Sequence, residues 1–393
     1  MIDTRRRLAA ISMLLVAGIL AGTQLGKIAP LIGWYRDDAG MSLVAIGWLT
    51  ALLGLFVALA SLPAAFAISR AGLYRSFIFS TVLLFIGGIG IATFESQTAV
   101  LAARLVEALG YLPLVIAVPA LVSALAPAEF KAPALAIWGG FVPIGFAIAD
   151  FLASAMVPVF GERAFLATVV AGFGAASLLA GWLAYGLEAV DEPPKPQGLP
   201  PIRASASTDV LLVAAAFGVY VTLSIAFFAF LPEFIQSGRS DLAIAAGVIA
   251  LVVPVGNIFT GYVMKGRRAR FAMLLCIAGF LGTAVSALPM FSPSGVVAST
   301  AAAVVYAIAS GVIASALFAS VPFIVPAGGS ASVAIGIIAQ AGGITTVVAP
   351  PVAGYVIERF GFPGLGWFLA LSSLLGPVLL APLLRRRRAG LVD

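Results

Sequence analysis

Glu188-Ala-Val-Asp191-Glu192-Pro193-Pro194-Lys195-Pro196-Gln-Gly-Leu-Pro200-Pro201-Ile-Arg203 opens the longest polar stretch of the chain, and it falls near the middle. Residues 188–208, rich in proline and charge, read as an extended linker. Working outward, the sequence on either side is a series of apolar runs. Twelve are counted, at about 8–32, 43–69, 74–94, 98–126, 133–158, 164–187, 209–235, 241–264, 270–291, 295–325, 331–357 and 362–384. A run of about 20 apolar residues spans a bilayer core of about 30 Å. The sequence therefore predicts an all-α membrane protein with two pseudo-symmetric six-helix bundles. These are an N-terminal bundle over 1–187, a cytoplasmic linker over 188–208 and a C-terminal bundle over 209–393.

Composition agrees. Of 393 residues, 62% are hydrophobic and 10% charged, against about 45–50% and about 25% in soluble domains. Mean hydropathy is +1.14. An ordinary soluble enzyme, a disordered chain and a disulfide scaffold are excluded. Histidine is absent and Cys276 is the single cysteine. A His/Cys metal site, a Ser-His-Asp set and an internal disulfide are therefore all impossible. No phosphate-binding loop occurs, and Gly87-Gly88-x-Gly90 lies inside an apolar span with no strand before it, so it is no dinucleotide fingerprint. No cofactor, no metal and no enzymatic activity are expected. No ATPase motif occurs either, so work done across the membrane would have to draw on a gradient.

Basic residues predict the orientation. With the N-terminus inside, inner segments hold 16 Lys/Arg and outer segments 4, so both termini are expected in the cytoplasm. These basic runs read as topology signals rather than as a nucleic-acid surface. The apolar first run is longer than a signal-peptide core and more spans follow, so cleavage is not expected. The halves echo one another. Arg70-x-Gly72 after span 2 is matched by Lys265-Gly266 after span 8, and Gly139-Gly140 in span 5 by Gly342-Gly343 in span 11. Paired halves are a transporter feature, with the site near the midplane.

Twelve spans split six and six, with a basic turn after spans 2 and 8, resemble the major facilitator superfamily over nearly the whole chain. The family's loop pattern Gly-x-Leu-Ala-Asp-Arg-x-Gly-Arg-Arg lines up with Ala65 to Tyr74, where Arg70 and Gly72 match and Ser69 replaces the aspartate. Its span 4 pattern resembles Arg104-Leu-Val-Glu107-Ala-Leu-Gly110, with Glu107 in place of an amide. Trp138-Gly-Gly-Phe-Val-Pro143-Ile-Gly145 and Gly256-Asn257-Ile-Phe-Thr-Gly261 are similar to the bacterial branch that includes cyanate-permease-like proteins. The resemblance implies secondary transport by alternating access.

Charges inside a span cost about 2.5–3.5 kcal/mol on insertion scales, so each one present needs a reason. Lys27 in span 1, Arg104 and Glu107 in span 4, and Asp150 in span 5 fall roughly 8–14 Å below the outer surface at about 1.5 Å per residue. Arg104, Glu107 and Tyr111 share a helix face at i, i+3, i+7; Gln24 and Lys27 share one at i, i+3. Gly139, Pro143, Phe146 and Asp150 line a face of span 5. Lys27 and Arg104 would meet an anionic solute, and Glu107 and Asp150 would couple protons. A purely structural alternative pairs Arg104 with Glu107 and Lys27 with Asp150. Lys27 also has the option of snorkelling to the outer interface.

The second half shows no clear charge inside a span, so its candidate substrate contacts are neutral: Tyr220, Asn257, Tyr306 and Gln340, with Ser224 beside them. Such side chains also serve simply to bond neighbouring helices, at about 0.6 kcal/mol each. Gly18-x-x-x-Gly22-x-x-x-Gly26 is a helix-packing stripe. Arg70 and Gly72 are read as the loop motif, and Gly140, Pro143 and Gly145 as gating bends. The function expected is uptake or exchange of a small organic anion at the bacterial inner membrane, coupled to protons. Drug or metabolite efflux by proton antiport is the second reading, suited by 27 Phe residues. The partners expected are the solute, the proton and the lipid bilayer, for a monomer.

Overall fold

The computed structural model describes residues 2–127, 134, 137, 138, 140–187, 206–238, 242, 245–264, 269–325 and 331–386. Gly139, most of the linker, Lys131, Arg239, residues 265–268 and the C-terminal basic run beyond 386 lie outside the described residues. Among those described there are helices and no strands.

Among the described residues, ten stretches are long and apolar enough to cross a membrane. Two of them are long enough for two crossings each: Phe141–Ala184, 44 residues, and Gly336–Leu384, 49 residues. Each of these breaks at a glycine with positive φ, Gly161 at +80° and Gly361 at +69°. The twelve crossings read from hydropathy are thus accommodated.

The chain packs into two compact units: Met1–Ser42 with Leu52–Gln197, and Leu43–Ala51 with Gly198–Asp393. In the first unit, α1 runs Ile2–Gly26. It stops where Pro30, which has no N–H to continue the ladder, sits in a 3₁₀ turn at Ala29–Leu31, followed by α2 at Ile32–Asp37. The first crossing therefore extends to Asp37, beyond the boundary near 32 expected from hydropathy, and is broken just at Lys27. A second 3₁₀ turn, Leu52–Gly54, leads into α4, Leu55–Ala71. Gly72 at φ +94° joins α4 to α5, Leu73–Thr93. Ser96 caps α6, Gln97–Leu125, by accepting the Ala99 N–H at 3.2 Å. The first half of α7, Phe141–Ala184, docks on α1. Gly22 and Gly26 lie under Phe141, Gly145 and Phe146, and a Cβ on Gly26 would sit 2.8 Å from Phe146 Cα. The glycine stripe is a packing face, as its spacing predicts.

The second unit holds α3, Leu43–Ala51, which lies against the later helices. Its Gly47 meets the Pro350 and Pro351 backbone, and the Val44 N–H donates to Glu358 Oε1 at 3.3 Å. Ser207 caps α8, Thr208–Gln236. Then come α9, Ala246–Val263; α10, Ala269–Met290; α11, Val296–Ile324; α12, Ala331–Ser373; and α13, Leu375–Arg386. Small residues seat α9 on α11: a Cβ on Gly256 would lie 3.0 Å from Val312 N, and one on Gly311 3.0 Å from Asn257 N.

Candidate functional site

The first unit buries an ion cluster with no solvent exposure at any of its four members, Gln24, Lys27, Arg104 and Glu107. Lys27 sits at the end of α1, where its backbone N–H still donates to Thr23 O at 2.8 Å. Its Nζ donates to Gln24 Oε1 at 2.9 Å and to Glu107 Oε1 at 2.6 Å. Arg104 Nη1 donates to Glu107 Oε2 at 2.6 Å and to the Gln24 carbonyl at 2.7 Å. Gln24 Nε2 reaches Val169 O on α7 at 3.4 Å. Glu107 thus has one cation on each oxygen. Charge-assisted bonds of this length are what offset the desolvation of buried ions.

The helical spacing correctly brings Arg104 and Glu107 onto one face and Gln24 and Lys27 onto one face. Two expectations are corrected. Lys27 is fully buried and bonded, so it does not snorkel outward. Its salt bridge is with Glu107 and not with Asp150, because Glu107 presents its second oxygen to α1 while the first half of its carboxylate holds Arg104. Asp150 is buried on α7, one turn beyond Phe146, where α1 packs. Tyr111 is buried on α6 within electrostatic reach of Arg104.

Two features of this site were missed from sequence. Glu107 lies in a notch on α5: a Cβ on Gly87 would stand 2.6 Å from Glu107 Cγ, and one on Gly88 3.1 Å from Oε1. The paired glycines in an apolar span were the available signal. Tyr35 on α2 is buried, Arg104, Glu107 and Arg163 act on it electrostatically, and its hydroxyl has no hydrogen-bond partner among the described residues. Nothing in its sequence context distinguishes Tyr35 from a loop aromatic. Of the loop and bend residues, Arg70 is exposed in the last turn of α4, and Gly72 is held by its positive φ. Gly140 caps α7, with Pro143 and Gly145 buried in its first turns; Gly145 abuts Gly22 and Thr23 of α1.

In the second unit, Tyr220 faces Ser224 and Ser310, and Tyr306 lies near it. The Tyr306 hydroxyl donates to Leu223 O at 3.1 Å, and its ring stands 4.5 Å from Phe227. Asn257 Oδ1 accepts from the Ser315 hydroxyl at 3.1 Å across the α9–α11 seam. Gln340 is half-buried on α12. The expectation that this half lacks a charge inside a span is corrected: Glu233 is buried within α8. Glu233 lies two residues from the end of the apolar run 209–235, and position in a run does not specify whether neighbouring helices enclose the side chain.

Apolar crossings in two units, with a buried ion cluster in one, define a polytopic helical membrane protein of the transporter class. The Major Facilitator Superfamily model matches residues 14–345. The chain belongs to the major facilitator superfamily and is a secondary transporter. The fold is similar to the crystal structure of a bacterial homolog of the human lysosomal transporter Spinster, in an inward-facing and unoccupied conformation. The TM-score is 0.68 and the identity 18%, covering 97% of this chain and 92% of that one. No curated protein sequence matches.

Proposed function

We propose that this transporter moves a small organic anion across the bacterial inner membrane by alternating access, in symport or exchange, coupled to protons through Glu107 and Asp150. The observation that supports it is the fully buried pair of cations, Lys27 and Arg104, sharing one carboxylate. Two cations in hydrocarbon are costly, and a passing anion gives them a use that helix packing does not require. Tyr111, Tyr220, Asn257, Tyr306 and Gln340 are the neutral contacts proposed for the solute. Arg70 and Gly72 are proposed for the loop, and Gly140, Pro143 and Gly145 for the bends that gate it. The protein is proposed to act as a monomer with both termini cytoplasmic, on the cyanate-permease-like branch.

The test is transport in proteoliposomes. Arg104→Ala leaves the Lys27–Glu107 pair intact and is expected to insert normally while transport is abolished; normal transport by this variant ends the reading. A pH-gradient assay on Glu107→Gln and Asp150→Asn separates coupling from packing: unchanged pH dependence in both removes the proton role. One observation favours a second reading, proton-coupled efflux of a drug or metabolite. Phe227, Phe234, Phe291, Phe362 and Tyr306 form an aromatic cluster, with Phe234 and Phe362 rings 4.8 Å apart. These rings are buried against one another, and a solute seated among them would have to be apolar.

A further inference from the structure

The two ends of the first unit treat their exposed arginines differently. Where α5 finishes, Arg163 donates to Glu95 Oε1 at 3.0 Å and to Thr93 O at 3.3 Å; beyond the end of α1, Arg36 is paired with Asp37 at 2.8 Å. Where α1 and α5 begin, Arg5 and Arg75 are exposed, and among the described residues neither meets a carboxylate or any other hydrogen-bond acceptor.

Arg6 gathers this second end. Its Nη2 donates to Tyr185 O at 2.7 Å and Trp182 O at 3.4 Å, and its Nε to Leu183 O at 3.1 Å. These are carbonyls that the end of α7 leaves without helical partners, and the negative end of the helix dipole favours a cation there. The bonds use Nε and Nη2, so Nη1 keeps its N–H groups without an acceptor among the described residues. Tyr74, in the first turn of α5, meets the Tyr185 ring edge-on with centroids 5.9 Å apart, so α5 brings Arg75 to the same helix end. On α7 itself Trp182 and Tyr185 are 71% and 67% exposed, with Leu178 and Leu179 exposed one turn deeper. Aromatic rings above aliphatic side chains are the order found at a membrane–water interface.

We propose that the ends of α1, α5 and α7 form a binding site for an anionic glycerophospholipid. Arg5, Arg75 and the open side of Arg6 hold its phosphate, Trp182 and Tyr185 lie against its glycerol region, and its chains run along Leu178 and Leu179. Guanidinium groups suit phosphate oxygens, which accept their paired N–H donors. A soluble polyanion would leave the exposed Trp182 and Tyr185 uncovered, whereas a lipid covers them and the charges together. A zwitterionic lipid brings its own ammonium group, which three arginines repel. A signal for membrane orientation needs only basic residues somewhere on the inner side; it does not need two helix starts drawn onto one helix end beside exposed aromatics. The site is independent of the solute and of the coupling ion.

The test uses Trp182 as the reporter. Purified full-length protein is placed in vesicles of four parts phosphatidylcholine to one part phosphatidylglycerol, with bromine on the chains of one lipid or the other to quench nearby tryptophan. Brominated phosphatidylglycerol is expected to quench more than its share of the mixture allows, and Trp182→Phe to remove that excess. Arg5→Gln/Arg75→Gln is expected to lower phosphatidylglycerol affinity about thirtyfold, at about 1 kcal/mol per basic residue near a membrane surface. Arg36→Gln/Arg163→Gln, with the same loss of charge at the other end, is expected to keep the excess. Rising salt should weaken it, because the cations are exposed. Quenching in proportion to composition by the wild type overturns the proposal, and that comparison needs no variant. An excess that survives Arg5→Gln/Arg75→Gln, or that Arg36→Gln/Arg163→Gln removes equally, overturns it too, since the attraction would then belong to the whole surface. Either result leaves the anion-transport reading untouched.

Discussion

A glycine is the least informative letter in an apolar span, yet two of them, Gly87 and Gly88, shape the ion cluster. Gly87 and Gly172 both lie inside helices of the first unit. A methyl group on Gly172 meets nothing within 4 Å, whereas one on Gly87 would stand 2.6 Å from both Cγ and the backbone N of Glu107. Gly87→Ala is expected to lower stability by about 1–3 kcal/mol through overpacking. Gly172→Ala should be neutral or raise it by up to about 1 kcal/mol, since alanine loses less entropy in a helix. Thermal unfolding in detergent compares the two, and equal shifts would show that α5 moves aside freely. The charges themselves were legible in the sequence, because an ionised residue in hydrocarbon is rare. Their partners were not. Spacing along α6 gives Arg104–Glu107, but nothing in the chain says that Lys27, 80 residues earlier, takes the other oxygen.

Elements were legible in proportion to how far local chemistry sets them. The starts of α6 and α8 follow from Ser96 and Ser207 caps, and the break after α1 from Pro30. The Leu52–Gly54 turn has no proline, and α3 before it packs with the second unit while α4 after it packs with the first. Tertiary contacts made that division, so hydropathy read one continuous span. At the α9–α11 seam the two backbones approach through Gly256 and Gly311. Gly311→Leu is expected to push α9 off, break the Asn257–Ser315 bond and lower the unfolding temperature of the protein. An unchanged midpoint would mean that the seam is not close-packed.

At the scale of the whole molecule, the prediction concerns sidedness. Cys276 is buried and is the single cysteine, so a membrane-impermeant maleimide should leave the native protein unlabelled. With the orientation proposed above, the exposed Thr98→Cys is expected to label on intact cells and the exposed Thr208→Cys only after permeabilisation; the reverse pattern would invert the topology. The sequence by itself determined that this chain lives in lipid and crosses it twelve times, with costly charges in its first half. Those are properties of single residues and their neighbours in hydrocarbon, and they need no knowledge of what packs where. Only the tertiary structure decided that Glu107 serves two cations, that α5 glycines make room for it, that Tyr35 stands by unbonded, and that Glu233 is enclosed. Each depends on side chains from separate helices meeting at bonding distance, and a residue pattern along one helix does not specify which neighbour it will face.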